Sequence, residues 1–225
     1  NDRIKPKKNG GLSDNGTGKF SDIDNASLEY IKWLGCSHVW YTGVIRHSTQ
    51  ASEAGCTPSH PQFVKGKAGS PYAICDYYDV NAYLADNAED RMFEFEQLIK
   101  RTHNAGLKVI IDFVPNHVAR DYGKVNMTPG HPVLGAEDDK SVHWREENDF
   151  IYYPGETLRR PTESPKGMKP YFEEPAMATG NNCYNPCPGI NDWYETIKLN
   201  YCDYHTPTWD KMLDIIRFWA SKGAD

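Results

Sequence analysis

The sequence predicts an α/β protein with parallel strands, and three observations predict it. Val109, Ile110 and Ile111 form an unbroken apolar run of strand length, the pattern of a strand covered on both faces. That run turns polar at its C-terminal end, with Asp112, Asn116 and His117 close together, and strand C-termini are where ligands bind in such folds. Stretches of helical spacing precede both this run and an earlier apolar one, so helices and strands alternate along the chain.

The elements follow in order. Asn1 to Lys19 is polar and rich in Gly, Lys and Asn, a surface loop. Leu28, Ile31 and Leu34 then recur at helical spacing, with Ser21 or Asp22 as the cap and Gly35 as the stop. His38 to Ile45 reads as a strand because Val39, Trp40, Tyr41, Val44 and Ile45 are β-prone. Ser48 to Ser70 is a long loop, and Pro71 to Val80 is aromatic and acidic without clean periodicity.

A second helix is capped by Asp86 or Asn87 and presents Met92, Phe95, Leu98, Ile99 and Thr102 on one face; Gly106 ends it. The strand from Leu107 stops before Pro115, which lacks a backbone donor, so Asn116 and His117 fall in the following loop. Periodicity is then lost from Val118 to His205, too long for an ordinary connection, which indicates an inserted subdomain. Thr206 caps a last helix with Pro207 at its first position; Met212, Ile215, Ile216 and Trp219 form its buried stripe and Gly223 closes it.

Composition narrows the classes. The formal charge is −6 and basic residues are scattered apart from Lys5 to Lys8, which argues against a nucleic-acid partner. No stretch approaches the roughly 20 apolar residues of a membrane span. Six cysteines lack a CxxC pair, which disfavours zinc; Cys183 and Cys187 pair with each other or with Cys202, or all stay free as small hydrophobes. Aromatics make up 12% of the chain and many lie in its loop-rich part, a composition suited to stacking on sugar rings.

Asp-Phe-Val-Pro-Asn-His at 112–117 resembles the first signature region of the α-amylase superfamily of glycoside hydrolases. Trp40 lies in a segment similar to that family's second barrel strand, Tyr72 sits where it places a stacking tyrosine, and Thr196-Ile-Lys-Leu-Asn200 resembles its fifth region. The resemblance covers nearly the whole chain and extends to cell-surface starch-degrading amylases of gut Bacteroidetes. It implies a partial (β/α)8 TIM barrel, from after the first strand to just before the fourth. Residues 1–117 would be the N-terminal part of the barrel, 118–205 the inserted domain B, and 206–225 the helix leading to the fourth strand.

The resemblance also implies roles. His117 would hydrogen-bond a hydroxyl of the sugar at the cleaved bond; the alternative is a histidine satisfied by loop backbone. Tyr72 would stack on that sugar, with core packing as the alternative. Asp112 would support the site structurally and needs a cationic or hydrogen-bonding partner, because an unpaired buried carboxylate is costly. Asn116 would give its amide oxygen to calcium. Lys198 stands where many members carry an aspartate ligand, so that site is either lost or rebuilt from Asp192, Glu195 or Asp203. Tyr152, Tyr153, Tyr171, Phe172, Tyr184, Trp193 and Tyr194 either line a glucan cleft or pack the insertion, and Glu137, Asp138 and Asp139 form a solvated turn.

Retaining glycosidases need two carboxyl groups about 5 to 5.5 Å apart. The family supplies them, with a third acid, after later barrel strands, and Lys222-Gly-Ala-Asp225 resembles the residues just before the first of those motifs. No catalytic residue is therefore assigned within this chain, which alone would be inactive. The implied partners are an α-glucan or maltooligosaccharide and the remainder of the barrel, with the protein outside the cell, at its surface or in the periplasm. Neopullulanase-like or transglycosylating chemistry and a non-catalytic glucan-binding scaffold are the alternatives.

Overall fold

A computed structural model describes residues 16–51, 57–202 and 204–225. The expected loop before residue 16, Cys56 and Asp203 lie outside the described residues.

Helix α1 (Asn25–Trp33) is capped by Asp24, whose carboxylate accepts from the Ser27 N–H at 2.8 Å. Ser21 and Asp22, expected as caps, belong instead to a short 3-10 turn that buries Phe20. Of the expected apolar face only Leu28 is fully buried, while Leu34 is exposed. The apolar run after Gly35 divides: β1 (His38–Tyr41) and β2 (Ile45–His47) are separated by a turn in which Gly43 takes a φ of 67°. A continuous strand from His38 to Ile45 was expected; the left-handed glycine breaks it.

Strand β3 (Ile74–Val80) was not legible because its aromatic and acidic residues lack alternation, yet all seven are buried. It pairs antiparallel with β2 through an irregular register. Its acids are satisfied: Asp76 accepts from the N–H and hydroxyl of Thr128, and Asp79 from Arg91 in a fork of two 2.8 Å bonds. Such two-pronged pairing makes a buried carboxylate tolerable.

Helix α2 (Arg91–Asn104) buries Phe95, Leu98, Ile99 and Thr102 of the face its spacing predicted, with Met92 only partly buried, and Gly106 follows at a φ of 72°. Thr102 fits an apolar stripe because its hydroxyl donates to the Leu98 carbonyl and pairs with the Tyr41 hydroxyl. The expected cap Asn87 caps a one-turn 3-10 segment that leads into α2. Strand β4 (Lys108–Ile111) lies parallel to β1, with Val109 opposite Val39 and Ile110 opposite Trp40. Ile110 and Trp40 are exposed, so only one face of this pair is covered among the described residues, against the expectation of two.

Strand β5 (His117–Ala119) pairs antiparallel with β8 (Thr196–Lys198), and β6 (Tyr152–Tyr153) with β7 (Ala176–Met177). His117 thus opens a strand rather than lying in a loop. Asp138, expected in a solvated turn, is half-buried and accepts from the Asp149 and Phe150 N–H groups and the Tyr152 hydroxyl. Cys183, Cys187 and Cys202 are free, so the pairings considered for them do not form.

Helix α3 (Pro207–Lys222) buries Met212, Ile215 and Trp219, while Ile216, expected in that stripe, is exposed. Thr206 occupies the cap position without a side-chain capping bond, and Gly223 ends the helix at a φ of 104°. Trp219 reaches back to donate to the Tyr77 carbonyl at 2.9 Å, joining α3 to β3. The core unites Tyr77, Val80, Phe95, Leu98, Val109, Val118, Ile197 and Trp219, so the loop-rich stretch shares one apolar interior with the α/β part.

The loop-rich stretch is tied by a buried ion pair between Arg120 and Glu173, 2.5 Å apart. Removing one member leaves the other charged and desolvated. Glu173→Ala should therefore lower unfolding free energy by about 3–5 kcal/mol, measured by urea denaturation. A loss below about 1 kcal/mol would show that water reaches the pair.

Candidate functional site

The β5–β8 register places His117 opposite Lys198 and Ala119 opposite Thr196. Opposed residues of an antiparallel pair share a face, so His117, Ala119, Thr196 and Lys198 point to one side and Val118 and Ile197 to the other. On the first side, a cavity of about 270 Å³ is lined by Ser70, Tyr72, Val114, His117, Trp193, Glu195 and Thr196. Tyr72 and His117, far apart in sequence, thus line one cavity. Tyr72 is 48% exposed, leaving its ring available, whereas His117 is 6% exposed.

A small network holds the imidazole. Lys198 Nζ donates to Asn116 Oδ1 at 2.6 Å, which fixes the amide so that Nδ2 donates to His117 Nδ1 at 2.8 Å and to the Gly180 carbonyl at 2.9 Å. His117 therefore accepts at Nδ1 and carries its proton on Nε2. Trp193 meets the imidazole edge to face, with centroids 5.3 Å apart. Burial lowers the His117 pKa, the Lys198 charge lowers it further, and hydrogen bonding to the Tyr72 backbone opposes both. Burial also lowers the pKa of Lys198.

Gly180 makes this packing possible. A Cβ there would lie 2.4 Å from Thr196 Oγ1 and 2.8 Å from His117 Cβ, closer than atoms approach.

Asp112 lies apart from this cavity, at the end of β4, where Trp40 Nε1 donates to it at 2.8 Å and the Gly43 N–H at 3.3 Å. It has the hydrogen-bonding partners that its position requires. Asn116 Oδ1, expected to face calcium, faces an ammonium instead, which repels a divalent ion and offers no lone pair. Asp192 accepts from Asn181 and the Gly189 N–H, and Glu195 lies 3.2 Å from Lys65 Nζ. Among the described residues no group of three His, Cys, Asp or Glu could hold a metal. Among the described residues, the donors around Asn116 do not fit calcium.

Sequence reasoning missed Ser70 and Thr196 as lining residues and had placed Glu195 only as a calcium substitute. Of the loop-rich aromatics, Trp193 alone lines this cavity, while Tyr152 and Tyr194 are buried as packing and Phe172 and Tyr184 stand exposed. Trp193 and Glu195 flank the Thr196-Ile-Lys-Leu-Asn200 segment, the one signal that could have singled them out.

The sequence profile described as "Alpha amylase, catalytic domain" matches residues 8–225. The chain belongs to the α-amylase family. It is 24% identical over 162 residues to an α-glucosidase of Apis mellifera, covering 68% of this chain and 24% of that protein. It is 23% identical over 133 residues to the 1,4-α-glucan branching enzyme GlgB of Deinococcus radiodurans, covering 59% and 16%. A third relative is the amino acid transporter heavy chain SLC3A1 of Rattus norvegicus, 20% identical over 236 residues, covering 99% and 27%. The chain thus spans about a quarter or less of these relatives.

Among solved structures, a γ-CGTase from alkalophilic Bacillus clarkii superposes with a TM-score of 0.52 at 18% identity, over 99% of this chain and 27% of that one. An α-amylase from Lactobacillus plantarum gives 0.50 at 22% identity, over 92% and 32%. The fold is accordingly a partial (β/α)8 barrel of this family.

Two outcomes follow from the network. Because the folded pKa of His117 lies below its unfolded value near 6.5, the folded state resists protonation. Stability should be complete above about pH 6.5 and decline as pH falls toward the lowered pKa, and His117→Gln should remove that part of the decline in pH-dependent urea titrations. Gly180→Ala should destabilise by about 1–3 kcal/mol through the forced contact. A melting temperature unchanged in Gly180→Ala would refute the close packing.

Proposed function

We propose that this chain forms part of a glycoside hydrolase that cleaves α-1,4-glucosidic bonds of starch-like glucans with retention of configuration. The observation that carries the proposal is the shared cavity of Tyr72 and His117 within a chain of the α-amylase family. The exposed Tyr72 ring offers a flat face for a sugar, and His117 Nε2–H is a donor for a sugar hydroxyl once freed from the Tyr72 backbone. Holding Nδ1 by Asn116 keeps that donor in one tautomer at neutral pH, because the lowered pKa disfavours the imidazolium. Trp193 lines the cavity beside the imidazole and offers an indole ring to the same sugar.

The reacting carboxylates belong to the remainder of the barrel. The uncovered face bearing Trp40 and Ile110, and a larger apolar groove of about 680 Å³ that includes Phe113, Trp209 and Ile216, support docking of that remainder here. Residues 118–205 serve as domain B, and the protein acts at the cell surface or otherwise outside the cytoplasm, as the resemblance to cell-surface starch-degrading amylases suggests.

Two observations favour narrower or different readings. Lys198 against Asn116, in place of an acidic ligand, favours a neopullulanase-like or transglycosylating specificity within the family. The likeness to SLC3A1, whose name is that of a transporter subunit, favours a non-catalytic scaffold.

Reducing-sugar release from maltoheptaose and pullulan by the intact protein separates these. Hydrolysis with an α-anomeric product by NMR is the expected result; glucan binding without release would establish the scaffold. His117→Ala and Tyr72→Ala should each lower kcat/KM by roughly 10- to 100-fold. Wild-type kinetics in both variants would exclude the cavity as the sugar site.

A further inference from the structure

Of the described residues that line the cavity with Tyr72 and His117, Glu195 alone bears a carboxylate. Its backbone carbonyl accepts from the Arg120 N–H at 3.0 Å, which fixes it to the ribbon just ahead of β8. Strand alternation would send Glu195 and Thr196 to opposite faces. The Thr196 N–H instead closes a turn on the Trp193 carbonyl at 2.8 Å, and Trp193, Glu195 and Thr196 all reach the same cavity.

The two carboxylate oxygens of Glu195 differ. Oε2 is buried and faces the Lys65 ammonium across 3.2 Å without a hydrogen bond. Lys65 Nζ donates to the Asp192 carbonyl at 3.2 Å and lies 4.7 Å from the centroid of the Tyr194 ring, which keeps the ammonium behind the wall; Lys65 does not line the cavity. Oε1 keeps solvent contact, and no described residue donates to it. The ammonium thus holds one end of the carboxylate and leaves the other to a donor that arrives through the cavity.

The neighbouring polar atoms are engaged. Thr196 Oγ1 donates to the Trp193 carbonyl at 2.8 Å and accepts from the Gly180 N–H at 3.2 Å, while Ser70 Oγ accepts from the Tyr72 N–H at 3.3 Å. Burial, and after it the Lys198 charge, lowers the His117 pKa, so the imidazole is neutral at neutral pH. Lys198 reaches it only through Asn116 and does not line the cavity, so the one charge on the wall is negative. A ligand hydroxyl suits such a wall, because it donates to a carboxylate oxygen and accepts from another group at once.

We propose that Glu195 is a specificity-determining residue of this cavity: Oε1 accepts a hydrogen bond from a hydroxyl of a neutral glucan, and the carboxylate charge turns away glucans that carry carboxylates or sulfate esters. The proposal rests on the cavity being a sugar site and adds the class of sugar it admits. Glu195 makes and breaks no bond; it orients a hydroxyl and sets the charge that can enter, attraction for one ligand and repulsion of the other acting together.

The test is calorimetric titration of the intact protein in the cold, at constant ionic strength, with maltoheptaose and with maltoheptaose whose C6 hydroxymethyl groups have been oxidised to carboxylates. Wild-type protein should bind the neutral probe at least about tenfold more tightly than the oxidised one. Glu195→Gln keeps the size of the side chain and one acceptor oxygen while removing the charge. It should weaken binding of maltoheptaose and strengthen that of the oxidised probe, so that the ratio of the two dissociation constants falls at least about fivefold. Damage to the fold or to the cavity shape weakens both probes together and leaves that ratio unchanged. A smaller change in the ratio, in a protein whose His117→Ala and Tyr72→Ala variants lose maltoheptaose affinity, would overturn the role of Glu195 and leave the sugar site standing. Unchanged maltoheptaose affinity in both of those variants would remove the sugar site and this proposal with it.

Discussion

The pairing of β5 with β8 is the constraint on which the rest of the site depends. Three residue pairs bring together segments about eighty positions apart, and with them the Asn116, His117 and Lys198 side chains. The ammonium of Lys198 orients one amide, the amide orients one imidazole, and the imidazole tautomer follows. Each bond in this chain restricts the next, so a short ribbon acquires a defined donor pattern without a long sheet to support it.

Buried polar groups tie the interior together at several points. Asp76 and Asp79 on the fully buried β3, the Arg120–Glu173 pair and the Asp149–Lys211 pair all lie inside. Their value is specificity of arrangement more than net stabilisation, since desolvation offsets much of the attraction. In a stretch with few regular elements, such bonds do what helix packing does elsewhere, holding loops at fixed separations. The shared apolar core with Val118, Phe150 and Ile197 then joins that stretch to the α/β part.

The two sides of the ribbon divide the chemistry. One presents an imidazole, an indole and a half-exposed phenol ring, the mixture that suits a neutral polyhydroxyl ligand with apolar faces. The other is lined by Arg120, Lys124 and Lys140 together with apolar side chains. Strand alternation alone places these environments back to back, because successive residues must point to opposite faces.

By itself the sequence determined the elements whose signal is local. The face of α2 from Phe95 to Thr102, the glycine stops at Gly106 and Gly223, and β4 with its polar end at Asp112 were all readable, because periodicity and left-handed backbone are properties of neighbouring residues. The motif from Asp112 to His117 made the family legible, and with it Tyr72 and His117 as a pair. Only the tertiary structure decided that β3 is buried despite its acids, that Gly43 divides the first apolar run, and that Asn116 faces an ammonium. It also decided which aromatics line a cavity and which fill the core. The burial of β3 and the setting of Asn116 depend on partners about twelve to eighty residues away, whose charge and hydrogen-bonding capacity no local pattern records.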